Sequence, residues 1–92
     1  MLEKVKLALR ITTEAFDKEI GDLISAALAD LGIAGIVQTD QTDPLIVRAV
    51  ITYCKANFGE SDSYERLKAA YDEQKAQMQM STGYTDWGDA DG

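Results

Sequence analysis

The sequence predicts an all-α fold: a small bundle of about four helices, with a long C-terminal helix and an extended tail. Three observations predict it. Apolar residues recur at threes and fours through most of the 92 residues. The nearly all-apolar stretch DPLIVRAVITYCKANFG is bracketed by helix punctuation, with Asp43 and Pro44 at its start and Gly59 at its end. The interval between those signals is also too long for a typical strand, although Ile46, Val47, Val50, Ile51 and Thr52 are β-branched. No sheet is expected beyond an extended pairing of the loop or the tail.

Leu2, Val5, Ala8 and Leu9 share one side of a first helix over 2–9, with Glu3, Lys4 and Lys6 filling most of the other. It ends near Arg10. Ile11-Thr12-Thr13 is a short connection in which either threonine can cap the next helix, and Glu14 and Asp17 place negative charge in that helix's first turn. Phe16, Ile20, Leu23, Ile24, Ala27, Leu28 and Leu31 then hold one face for about four turns, which predicts a helix over 14–31. Asp17, Lys18, Asp22, Ser25 and Asp30 face away from that stripe, Gly21 permits close approach by a neighbour, and Gly32 is the expected stop.

Between Gly32 and Asp43 runs IAGIVQTDQT, longer than compact helical domains usually employ. Ile33, Ile36 and Val37 have no helical period there. They either tuck back over the core or wait for another chain. Asp40 and Asp43 are too few to form a calcium loop, and Asp43 is already a cap.

The helix over 44–58 is the expected centre, because so small a polar face belongs inside a protein. Arg48, Thr52 and Lys55 make its one polar stripe, a route to water, to the next subunit or to an acidic partner. After the turn Glu60-Ser61-Asp62-Ser63, Asp62 and Glu65 match a capping box, and a last helix over 62–80 follows. Its apolar seam is Tyr64, Leu67, Tyr71 and Met78, with Gln74 between, while Lys68 with Asp72 and Asp72 with Lys75 offer surface pairs. The seam is narrow, as suits a helix that packs against a second protomer or across its own core. Residues 1–80 therefore read as one helical domain and 81–92 as a flexible acidic tail. Tyr84 and Trp87 in that tail either anchor in a partner's pocket or fold back onto their own domain.

Composition narrows the function classes. A formal charge of -7 with dispersed basic residues argues against a surface built to grip phosphates. With no histidine, the commonest general base and the commonest zinc ligand are both missing, and the single Cys54, set within the apolar helix, reads as a small packed hydrophobe. Gly32-Ile33-Ala34-Gly35 lacks the remaining glycine and the lysine of a phosphate loop. The acidic residues Asp89 and Asp91 sit in the tail, where nothing fixes their separation. An enzyme, a metal site and a bound cofactor are therefore not expected. No apolar run approaches the ~20 residues of a membrane span, and Met1-Leu2-Glu3-Lys4 does not open a signal peptide, so the expectation is assembly in the cytoplasm without a membrane partner.

The order and spacing of VKLALRI, TTEAFD before DLISAALADLGI, DPLIVRAVITYCKANFG, SDSYERLKAAYDEQKAQM and STGYTDWG resemble the phage head-tail connector family, also called head completion or DNA-packaging adaptor proteins. The resemblance runs over nearly the entire chain. The 33–42 loop departs most from the family pattern. The resemblance implies a small all-α structural protein of the virion, located at the head-tail junction. It also implies a homo-oligomeric ring beneath the portal protein, with a dodecamer as its candidate size in the virion, which receives a neck or tail completion protein once DNA is packaged. Duplex DNA would pass through such a ring without specific binding, consistent with an acidic chain. The candidate contact residues are Ile33, Ile36, Val37, Arg48, Lys55, Tyr84 and Trp87. Two other classes compete: a monomeric helical adaptor for one protein partner, and a nucleic-acid-binding helical domain resting on Lys4, Lys6, Arg10 and the Arg48/Lys55 stripe.

Overall fold

Asp43 initiates the helix on which the others pack. Its carboxylate accepts from the amides of Leu45 at 2.9 Å and Ile46 at 3.3 Å, and Pro44 occupies the first turn, where its missing N–H costs nothing. In the computed structural model, which describes residues 1–36, 43–58 and 63–80, the element order is α1 (Leu2–Leu9), α2 (Asp17–Ile33), α3 (Pro44–Asn57) and α4 (Tyr64–Gln79). There is no strand among the described residues. The expected all-α class is the class observed. α3 touches all three other helices, and it buries Ile46, Ala49, Val50, Cys54 and Ala56 among them.

The core is completed by Val5 from α1, by Ile20, Ile24, Ala27 and Leu31 from α2, and by Tyr71 and Met78 from α4. These are the residues that the helical periods place on inner faces. Phe16 and Phe58 meet edge to face at 5.5 Å, fixing the start of α2 beside the end of α3. Gly59 and Asp62, expected as the stop of α3 and the cap of α4, lie outside the described residues. Ser63 occupies the position before α4 without a side-chain cap bond.

Two helices end in the same way. Arg10 adopts φ 61°, its amide donates to the Leu7 carbonyl, and the Ile11 amide reaches back to Lys6 at 2.9 Å. Gly35 adopts φ 91°, its amide donates to Gly32, and the Ile36 amide reaches Leu31 at 3.0 Å. Each is the paired reversal that satisfies the last carbonyls of a helix. Glycine enters the left-handed region freely, whereas a residue with a Cβ gives up about 1–2 kcal/mol there.

The stop of α2 is thus Gly35 rather than Gly32, which lies inside the helix. Both glycines fit the motif on paper, because each would bring together an apolar pair: Leu28 with Ile33, or Leu31 with Ile36. The second register wins, and the outcome for the two isoleucines follows from it. Ile36 closes over the core at 3% exposure, while Ile33, carried on the last turn of α2, stands 87% exposed. The helix also begins later than Glu14. Thr13 Oγ1 accepts from the Ala15 amide at 3.2 Å and Asp17 N–H donates to the Glu14 carbonyl, so a threonine organises a turn ahead of the helix instead of capping it. Gly21 does not serve a close approach either, since no described neighbour lies within 4 Å of where its Cβ would stand.

Candidate functional site

The α3–α4 pair has two sides, and they differ in chemistry. On the side toward α2, Tyr71 rises from the middle of α4 and donates its hydroxyl to Asp30 Oδ2 at 2.6 Å. Lys75, one turn further along α4, donates to the same oxygen at 3.2 Å and lies 5.2 Å from the Tyr71 ring centre. Gln79, a further turn along, donates to the Ala34 carbonyl at 2.9 Å at the end of α2. Tyr53 of α3 packs against the Tyr71 ring at 5.3 Å. The four-residue spacing 71, 75, 79 makes this one continuous face, latched to the last turns of α2.

The electrostatics agree with the geometry. The Tyr71 hydroxyl, and after it Lys75, hold the Asp30 carboxyl below its usual range, against the opposing effect of burial. Burial, then the Asp30 carboxylate, drive the Tyr71 phenol upward, so it remains a donor at neutral pH. A cleft of about 230 Å³ opens beside this latch, but its polar walls are largely Asp30, Asp72, Lys68 and Lys75, which neutralise one another. The sequence placed Asp30 on the wet face of α2. The structure gives it the principal polar contact between α2 and α4.

On the opposite side, α3 and α4 leave an open groove of about 530 Å³, whose lining includes Val47, Ile51, Leu67 and Ala70 together with Arg48 and Lys55. Arg48 and Lys55 are exposed, and no ion pair among the described residues reaches either one. Thr52 belongs to the wall and not to the exposed stripe. It is buried and donates its hydroxyl to the Arg48 carbonyl at 2.9 Å. Gln74 borders this groove and an adjoining cleft, and its Oε1 is buried without a hydrogen-bond partner among the described residues. An unpaired acceptor of this kind carries an energetic cost until a donor reaches it.

The remaining candidates separate. Ile33 stands exposed on the last turn of α2, close to where Gln79 ties α4 to Ala34, and Met80 at the end of α4 is 86% exposed. Ile36 belongs to the core and is no free contact. Val37, Tyr84, Trp87 and the whole tail lie outside the described residues. The basic group Lys4, Lys6 and Arg10 is also broken up. Lys6 is only 8% exposed and pairs with Asp17 Oδ1 at 2.7 Å, the bond that raises its pKa and ties α1 to the start of α2.

Burial pushes the Cys54 thiol up to about 11, so the core thiol is not poised for nucleophilic chemistry. Among the described residues no group of three or more histidine, cysteine, aspartate or glutamate side chains could hold a metal ion, and no helix is long and apolar enough to cross a membrane. What the described residues leave open is a groove with Arg48 and Lys55 in its lining, and exposed apolar residues, Ile33 and Met80, at the ends of α2 and α4.

The chain belongs to the phage connector protein family, whose model matches residues 1–85. Its role is that of a phage structural connector. No curated protein and no solved structure matches it.

Proposed function

We propose that copies of this chain assemble into a ring beneath the portal protein at the capsid vertex, and that the ring joins the head to the neck or tail after DNA packaging. Membership of the connector family over residues 1–85 is the observation that carries this reading. Three features support it. The α3–α4 groove and the exposed Ile33 and Met80 are distinct patches on one small subunit, as head-to-tail contacts around a ring require. The chain is strongly acidic, and Lys6 is withdrawn into an ion pair, so a ring of such subunits would let duplex DNA pass without holding its phosphates. A small domain of this kind also gains stability from its neighbours by mass action.

Mass measurement across protein concentration, repeated with the cognate portal protein, tests the reading. The expected result is a closed species of fixed copy number that grows in with concentration or on addition of portal. A chain that stays monomeric under both conditions would make it a single-partner adaptor instead. Retention of duplex DNA at physiological salt, weakening steeply as salt rises, would favour a nucleic-acid-binding role.

A further inference from the structure

We propose that the α3–α4 groove is the receptor for the C-terminal segment 81–92 of the neighbouring copy, so that each subunit holds the next by its tail. The inference rests on the ring reading and supplies its contact.

The groove and the segment are complementary in charge and in polarity. The segment STGYTDWGDADG carries Asp86, Asp89 and Asp91 and no basic residue, and it contains Tyr84 and Trp87. The groove combines the apolar side chains of Val47, Ile51, Leu67 and Ala70 with the cationic side chains of Arg48 and Lys55. Aromatic side chains that bury a ring and keep a polar edge are the usual anchors in such a cleft, and the flanking charges set orientation more than affinity.

Spacing agrees as well. Arg48 and Lys55 are seven residues apart on α3, about 10.5 Å along the helix. In an extended chain of three residues per turn, positions three apart share a face at about 9.3 Å. Were the segment to bind in that form, Asp86 and Asp89 would match the two cations, and Tyr84 and Trp87, also three apart, would meet the apolar side chains. The Trp87 indole N–H is a donor without acceptor capacity, and Gln74 Oε1 in the groove's lining, with no partner among the described residues, is an acceptor of the kind it needs.

Reach does not restrict the tail to another copy. α4 ends at Gln79, and the twelve residues that follow Met80 span up to about 40 Å, enough to return to the subunit's own groove. Symmetry selects the neighbour. A ring closes through heterologous contacts, in which a patch on one subunit meets a different patch on the next, and the tail and groove are such a pair. Filled from within, both patches would be consumed and neither would join two subunits.

Exchange of charge between two full-length variants tests this. In the first, Arg48→Glu and Lys55→Glu reverse the groove's two cations. In the second, Asp86→Lys and Asp89→Lys reverse the tail. Each alone should assemble about 10- to 100-fold more weakly than the parent, because like charges then face each other at the contact. Mixed in equal amounts they should regain assembly, since each tail now fits the other variant's groove. Melting of the dilute monomers should be unchanged, as all four positions are exposed or in the tail.

Trp87 is the single tryptophan, so its emission gives a second readout on the unaltered chain. It should shift to the blue as concentration rises and subunits join. The failures differ. Variants that assemble like the parent would overturn the groove–tail contact and leave the ring standing. Defective variants whose mixture stays defective, with Trp87 emission blue at every dilution, would place the tail in its own groove. A parent chain that never assembles, alone or with portal, would remove the ring and this contact together.

Discussion

The two sides of the α3–α4 pair are built from the same helices, yet one is latched and the other is bare. Toward α2, a tyrosine, a lysine and a glutamine one turn apart each find a partner on the second helix or on its C-terminal cap. Away from α2, aliphatic side chains line a groove whose two cations have no ion-pair partner among the described residues. On the proposed ring reading, the latched side serves the fold and the bare side serves contact between copies. Substitutions on the latched side should be felt by the isolated domain, and substitutions on the bare side by the assembly.

The strongest way to break this comparison is at the residue beneath both sides. Val50 is fully buried at the centre of α3, and Val50→Asp places a charge there with no partner. The cost is several kcal/mol, comparable to the ~5–15 kcal/mol stability of a whole domain, so the variant should be unfolded by circular dichroism. A Val50→Asp protein as helical and as stable as the parent would mean that α3 is not the core.

Tyr71→Phe is the next largest test. It removes the hydroxyl from Asp30 while keeping the ring, and a hydrogen bond to a charged acceptor contributes about 1.5–3 kcal/mol. Its pH dependence has a definite sign. The folded-state pKa of Asp30 is depressed, so the native state binds its proton less readily than the unfolded chain. The stabilisation is complete above the ordinary 3.8 and is lost as pH falls through the lower native value. Denaturation of parent and variant at pH 7 and pH 3 should therefore show a deficit that shrinks in acid. An equal deficit at both would indicate lost packing and not the latch.

Lys68→Ala sharpens the contrast further. Lys68 bonds Asp72 at 3.0 Å, but both side chains are about half exposed, so solvent screens the pair and the loss in urea denaturation should be well below that of Tyr71→Phe. Smallest of all on stability should be Arg48→Ala with Lys55→Ala. Urea denaturation should place this pair within ~0.5 kcal/mol of the parent, because neither residue holds another described charge. A larger loss would mean that the groove cations serve the fold.

Much of this fold was legible because its signals are local. Asp43-Pro44 announces α3 within two residues, and the pairs Lys68–Asp72 and Asp72–Lys75 follow from helix spacing alone. The end of α2 was not legible for a definite reason. Gly32 and Gly35 each sit in an acceptable reversal with an apolar pair five residues apart, and only three-dimensional packing selects the later one. The exposed Ile33 and the buried Ile36 are both products of that choice. The latch was hidden differently: Tyr71 lies 41 residues from Asp30 and Lys75 lies 45, beyond any window in which periodicity operates. Of the candidate contacts, Arg48 and Lys55 were readable as a stripe. Lys6 looked like part of a basic cluster, because nothing in α1 reveals that Asp17 will arrive beside it.

Cys54 turns this architecture into a clock. The side chain is fully buried and its thiol is pushed up to about 11, so at neutral pH an alkylating reagent finds almost no thiolate and no path to it. Reaction must wait until the centre of the bundle opens. The labelling rate then reports how often the core opens. Because α3 contacts every other described helix, that opening approximates global unfolding and not fraying at an end. A subunit held by neighbours should label more slowly than the same subunit free in solution, so the one cysteine registers assembly from inside the core without any label at the interface.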